Sequence, residues 1–176
     1  MKNYAAVFGL GLYQIYGIKR LSKKYDLIGF DRNNKSPGIK YVKKFYNLDK
    51  IDKYEILKIC KKNKIKNFFC FSSDFASKII NFLNQKLNLK NPNKKAENIS
   101  TNKFLFRKVL KEKKISSPFF QQVELNKINK LKLNNKLTYI CKPLSSSASR
   151  GVFVFKNKKQ LIYNLKKYIY EYRNQK

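Results

Sequence analysis

Asn3 to Asp31 reads NYAAVFGLGLYQIYGIKRLSKKYDLIGFD. Residues 3–8 form a short apolar run of the kind that makes a buried strand. Gly9-Leu10-Gly11 breaks the run with a turn. Leu12 to Lys24 reads as a helix, and Asp26 to Asp31 (DLIGFD) as a second strand. Strand, glycine turn, helix and strand in this order make the βαβ unit of a parallel sheet.

The alternation continues downstream. Asn33 to Gly38 is rich in turn formers, and Lys44 to Leu48 is a short third strand. Ile51 to Asn63 carries Ile51, Tyr54, Ile56, Leu57, Ile59 and Cys60 near helical spacing. Asn67 to Phe71 (NFFCF) is an apolar strand. Ser73 to Leu87 is helical, with Phe75, Ala76, Ile79, Ile80, Phe82 and Leu83 inward, Ser72 or Ser73 as its cap and Asp74 in its first turn. Strands and helices alternating at this spacing predict a doubly wound α/β sheet, Rossmann-like, with right-handed crossovers.

A boundary is expected at Leu89-Lys90-Asn91-Pro92-Asn93, giving one domain over 1–92 and another over 93–176. The second opens with two helical segments, 93–98 and 101–113. Pro118 marks the entry to a strand-rich region. Leu137 to Lys142 and Gly151 to Phe155 read as strands, and Asn157 to Tyr172 as an amphipathic helix.

The glycine turn has two readings. Gly9 and Gly11 permit close backbone approach of an anion at a helix start. Asp31, ending the second strand 20 residues after Gly11, stands where a ribose-binding carboxylate stands in dinucleotide sites. The third glycine of that motif is absent, however, and Gln14 takes its place. A tight turn in any doubly wound fold is the favoured reading of the pattern.

Composition excludes several chemistries. Histidine is absent from the 176 residues, so no Ser-His-Asp triad, Cys-His pair or histidine metal ligand forms within the chain. Cys60, Cys70 and Cys141 lack metal-ligand spacing and read as buried free thiols. No apolar run approaches the ~18 residues that span a bilayer. The opening 20 residues have the outline of a signal peptide, but the Gly-x-Gly break fits a strand and turn better, and a cytoplasmic protein is expected. The formal charge of +31 suits nucleic-acid binding. Yet 36 of the 41 basic residues are lysines, spread along the whole chain. Arginine, the better bidentate reader of phosphate and guanine, is scarce, which argues against a dedicated nucleic-acid partner.

The stretch with most chemistry is Lys142-Pro143-Leu144-Ser145-Ser146-Ser147-Ala148-Ser149-Arg150-Gly151-Val152. A strand delivers a lysine into a loop of small residues. Such residues leave backbone N–H groups open to phosphate oxygens, serine hydroxyls add donors, and Lys142 supplies a point charge. By alternation Lys142 shares a face with Thr138 and Ile140, opposite Leu137, Tyr139 and Cys141. A flexible serine-rich hairpin loop is the competing reading.

KPLSSSASRGV resembles the phosphate-clasping loop of the ATP-grasp superfamily. Ser100-Thr101-Asn102-Lys103, followed by Ile115-Ser116-Ser117-Pro118, resembles that family's upstream stretch. GLGLYQ, the Asp31-to-Gly38 turn, Tyr41–Tyr46 and Ser73-Asp74 resemble the pre-ATP-grasp domain of its carbamoyl-phosphate-synthase-like and amino-acid-ligase members. The resemblance implies a pre-ATP-grasp Rossmann-like sheet followed by an incomplete α+β ATP-grasp domain. It implies that Lys103 and Lys142 bind ATP phosphates, and that Ser145, Ser146, Ser147, Ser149, Arg150 and Gly151 close over them as a lid. It places Gly9, Gly11, Gln14, Asp31 and Asp74 near a carboxylate or amine substrate. Ala148 and Lys114 stand where relatives often carry glycine.

Members of this family activate a carboxylate as an acyl phosphate for attack by an amine. The resemblance implies Mg²⁺, held by carboxylates and an asparagine far beyond the lysine-proline loop, and a hinge that grips adenine. Only 26 residues follow Arg150, with Glu171 their sole acid. No catalytic residue and no metal ligand is therefore expected here. The chain is expected to be the N-terminal part of such a ligase, whether a truncated product, half of a split enzyme or a stretch of a longer chain, and inactive alone. The alternatives are a non-catalytic nucleotide or metabolite binder and a basic nucleic-acid-binding protein.

Overall fold

The computed structural model describes residues 2–71, 74–89, 93–134, 136–146 and 149–173. The chain divides into two compact units, Met1–Glu97 and Asn98–Lys176. Of the expected boundary segment, residues 90–92 lie outside the described residues, as do Ser72 and Ser73.

The first unit is built on a parallel sheet of β1 (Tyr4–Phe8), β2 (Asp26–Asp31), β3 (Lys44–Asn47) and β4 (Phe68–Cys70) in the order β3-β2-β1-β4. β1 lies centrally, with Val7 opposite Gly29 on one side and Phe69 on the other. Because side chains alternate along a strand, β1 feeds two cores. Ala6 and Phe8 join Ile28, Phe30, Ile56, Cys60, Ala76, Ile79 and Leu83 beneath α2 (Lys53–Lys62) and α3 (Asp74–Lys86). Ala5 and Val7 join Leu10, Ile18 and Leu27 beneath α1 (Ile15–Lys24). Phe8, Phe30 and Tyr46 stack across three strands at 4.9 and 5.6 Å. The expected doubly wound sheet is what forms.

Helix starts follow the capping rules. Asp52 accepts from the N–H groups of Tyr54 and Glu55, while the Glu55 side chain returns to the Asp52 N–H, a complete capping box on α2. Helix ends are less conventional. Lys64, Asn88 and Lys114 each sit at positive φ, near 50°, just past a helix. In each case the next residue donates back into the last turn: Ile65 to Cys60, Leu89 to Asn84, Ile115 to Leu110. This is the Schellman geometry that glycine usually occupies.

The second unit carries the end of α4 (Lys94–Thr101), then α5 (Lys103–Glu112), an antiparallel pair β5 (Tyr139–Cys141) and β6 (Phe153–Phe155), and α6 (Lys158–Arg173). Tyr139 stacks on Phe155 at 5.4 Å, on the partly buried side of the hairpin. Thr138, Ile140 and Lys142 are exposed, as alternation requires. Beyond Pro118 the expected strands are β5 and β6; residues 115–124 form no strand, and Ile115, Phe119 and Val123 lie exposed. Two expectations need correction. β5 is shorter than 137–142, because pairing stops at Cys141 opposite Phe153 and Pro143 has no N–H to extend it. The first helix begins as a 3-10 turn, Leu12–Gln14, and turns α-helical only at Ile15. Among the described residues no helix is long and apolar enough to cross a membrane.

Candidate nucleotide-binding site

The start of α5 and the serine loop meet in the second unit. Asn102 caps α5 by accepting from the N–H groups of Phe104 and Leu105. The cap fixes Lys103 at the first helical position. There the Lys103 N–H donates to the Leu144 carbonyl at 2.9 Å. The Lys103 ammonium, partly buried, donates to the Ser146 carbonyl at 2.6 Å. One lysine thus grips the loop at two points.

The loop also closes on itself. The Ser146 hydroxyl donates to the Arg150 carbonyl at 3.1 Å, and the Val152 N–H to the Ser149 carbonyl at 3.2 Å. Ser149 and Gly151 both adopt positive φ, 55° and 71°. At Gly151 any side chain would be strained, since an added Cβ would lie 2.7 Å from the Tyr168 ring of α6 and 2.9 Å from Pro143. Lys142, one residue past β5, is exposed, as are Ser145 and Arg150. Ser147 and Ala148 lie outside the described residues. No Asp or Glu occurs from Leu125 to Tyr170, so every formal charge around the loop in sequence is positive. Such a field favours a polyanionic ligand such as a polyphosphate. An open depression of about 590 Å³ lies elsewhere, on the first unit, where Asp49, Asp52 and Glu55 face Lys50 and Lys58 in a lining of mixed charge. Among the described residues no three Asp, Glu, Cys or His side chains gather to hold a metal ion.

In the first unit the glycine turn is occupied internally. With its amide nitrogen turned toward the chain, Gln14 donates to the Phe8 and Gly9 carbonyls at 3.3 and 3.1 Å. It is buried directly over Gly9, where φ is +82° and an added Cβ would lie 2.3 Å from the amide. The Gly9 N–H donates to the Phe30 carbonyl. Asp31 accepts from the Leu10 N–H, the Asn33 N–H and the Ser36 hydroxyl, binding the strand end to the turn. Gly11 faces open space. Asp74 opens α3, and its side chain lies outside the described residues. Sequence reasoning named Lys103 and the serines but missed Leu144 and Tyr168, which fix the loop through a carbonyl and a ring face.

No protein-family model and no curated protein sequence matches the chain. Solved structures do. N5-carboxyaminoimidazole synthetase from Staphylococcus aureus, complexed with ADP, matches 94% of the chain with a TM-score of 0.68 at 16% identity. L-amino acid ligase from Bacillus licheniformis matches 94% with a TM-score of 0.73 at 13% identity. Phosphoribosylglycinamide synthetase from Anaerococcus prevotii matches 95% with a TM-score of 0.58 at 15% identity. These are ATP-grasp ligases.

The chain shares the fold of the part of these structures that it matches. It spans less than half the length of these structures, 45%, 42% and 42% respectively.

Proposed function

We propose that the chain is the phosphate-gripping part of an ATP-dependent carboxylate–amine ligase, with residues 1–92 as substrate domain and 93–176 as part of the ATP-grasp domain. The observation that carries this reading is the 2.6 Å contact of Lys103 with Ser146, within a loop that also presents Lys142. A phosphate entering the loop would take the place of the Ser146 carbonyl as acceptor for the Lys103 ammonium, with Lys142, Ser145, Ser149 and Arg150 around it. Gly9, Gly11, Gln14, Asp31 and Asp74 belong in this reading to the substrate side. In the whole ligase, ATP would convert a carboxylate to an acyl phosphate that an amine then attacks. The described residues of this chain do not fit a Mg²⁺ site, and no step through that ion is assigned to them. We place the protein in the cytoplasm, where the thiols of Cys60, Cys70 and Cys141 stay reduced.

Titration with ATP followed by amide chemical shifts tests the reading. Two lysines and a serine loop, at about 1.5–3 kcal/mol per charged contact, give affinity on the order of millimolar. Shifts should concentrate at Lys103 and across residues 142–151. Lys103→Met and Lys142→Met should each weaken binding about tenfold, equal to ~1.4 kcal/mol, while exposed Lys156→Met does nothing. Lys158 is a poor control, because its ammonium bonds the Asn129 carbonyl at 2.6 Å. Shifts confined to the first unit, or equal behaviour of the three variants, would remove the nucleotide from this loop.

A further inference from the structure

The outer face of α6 carries a pattern the nucleotide reading does not use. Lys159, Tyr163, Lys166 and Tyr170 stand at intervals of four, three and four residues, a single line along a helix. All four are exposed, and the two tyrosines remain 68% and 69% open. Lys167 borders the line and pairs with Glu171 at 4.0 Å, the only acid on the helix. Base and ring alternate over about 16 Å. The opposite face is committed inward: Leu161 is buried, and the Tyr168 ring covers Gly151.

We propose that this face of α6 binds single-stranded nucleic acid without sequence preference, the tyrosines stacking on bases and the lysines meeting phosphates. Stacking on aromatic rings and a positive track along the backbone are the two elements of such binding. Unpaired strands are the polyanions that offer ring faces at short intervals; a duplex keeps its bases stacked on each other. Lysine serves this purpose where arginine is scarce, since a point charge neutralises phosphate without reading base edges. The net charge of +31 supplies attraction at long range. An anionic membrane fits less well. A helix lying in a bilayer surface inserts its apolar face, and in α6 that face is packed against the protein.

Fluorescence anisotropy with a labelled oligothymidylate of about 12 nucleotides tests the proposal. Tyr163→Ser with Tyr170→Ser should weaken binding about tenfold or more, leaving the slope of log affinity against log salt unchanged. Tyr163→Phe with Tyr170→Phe should retain affinity, because the rings remain. Lys159→Gln with Lys166→Gln should flatten the salt slope. Tyr13→Ser with Tyr16→Ser, which removes two exposed rings from the first unit, should change nothing. The proposal is overturned if the Tyr163/Tyr170 serine variant binds like wild type, if a duplex of equal length binds as tightly, or if phosphatidylserine vesicles displace the oligonucleotide.

Discussion

The Lys103 ammonium and the Ser146 carbonyl lie 2.6 Å apart although 43 residues separate them in the chain. The bond joins the start of α5 to the serine loop, beside the backbone bond from the Lys103 N–H to the Leu144 carbonyl. Removing the charge while keeping the stem, as Lys103→Met does, should lower unfolding stability by about 1–2 kcal/mol, discounted from a fully buried charged bond because the site is partly open. A urea midpoint unchanged from wild type would show that the loop is held by its own turns instead.

The three glycine-free helix ends offer a stabilising experiment. Lys114 holds φ of 55° in a position where a Cβ is disfavoured, at a cost of about 1 kcal/mol. Lys114→Gly should therefore raise stability by up to about 1 kcal/mol, offset in part by the freer unfolded chain. Lys111→Gly, inside the last turn of the same helix, should cost about 1 kcal/mol. Thermal melts of the two variants moving in the same direction would contradict the Schellman assignment.

The two glycines of the first turn should part company. Gly9→Ala places a Cβ against the Gln14 amide at positive φ and should destabilise by more than about 2 kcal/mol. Gly11 has φ of −68° and open space around it, so Gly11→Ala should be neutral or stabilise by about 0.5 kcal/mol. Equal losses in chemical denaturation would mean that Gly11 makes a contact absent from this structure.

Cys60 gives a prediction in pH. Burial against Ile56, Ile65 and Leu83 raises its thiol to about 12 from an ordinary 9.0. The folded state therefore keeps a proton that the unfolded chain releases. The stability from this group is fully present below pH 9 and is lost as pH rises toward 12, at no more than about 1.4 kcal/mol per pH unit. Cys60→Ala lacks that component, so the stability gap between wild type and variant should narrow between pH 9 and 11. A gap that stays constant would place Cys60 in contact with water. The folded thiol should also resist alkylation at pH 8.

The sheet was legible because its strands are continuous apolar runs, and residues such as Val7 and Phe30 have few other places to go. Strand ends were less legible. The limit of β5 depends on which residue faces Phe153, a fact of pairing and not of Leu137 or Lys142 themselves. α1 starts with a 3-10 turn whose Gln14 lies over Gly9, a contact that only the three-dimensional turn reveals. At the loop, Lys103 and the serines announced themselves by type. Their meeting did not, because the acceptor is a backbone carbonyl and every residue has one. The Lys–Tyr line on α6 was hidden by a composition in which lysine is everywhere, and it emerges once the buried face of the helix is known.

The strand order sets a timetable for synthesis. β1 is the most buried strand, yet one of its two edges is covered only by β4, which begins at Phe68. Between the emergence of Phe8 and that of Phe68 the ribosome needs several seconds, at roughly 5–20 residues per second. Throughout that interval a strand of sequence YAAVF has one edge without its partner, a ready template for another nascent chain. Lys2 stands just before it, and Lys64 and Lys66 precede the strand that finally covers it. Lysines flanking an edge strand disfavour pairing between like-charged chains.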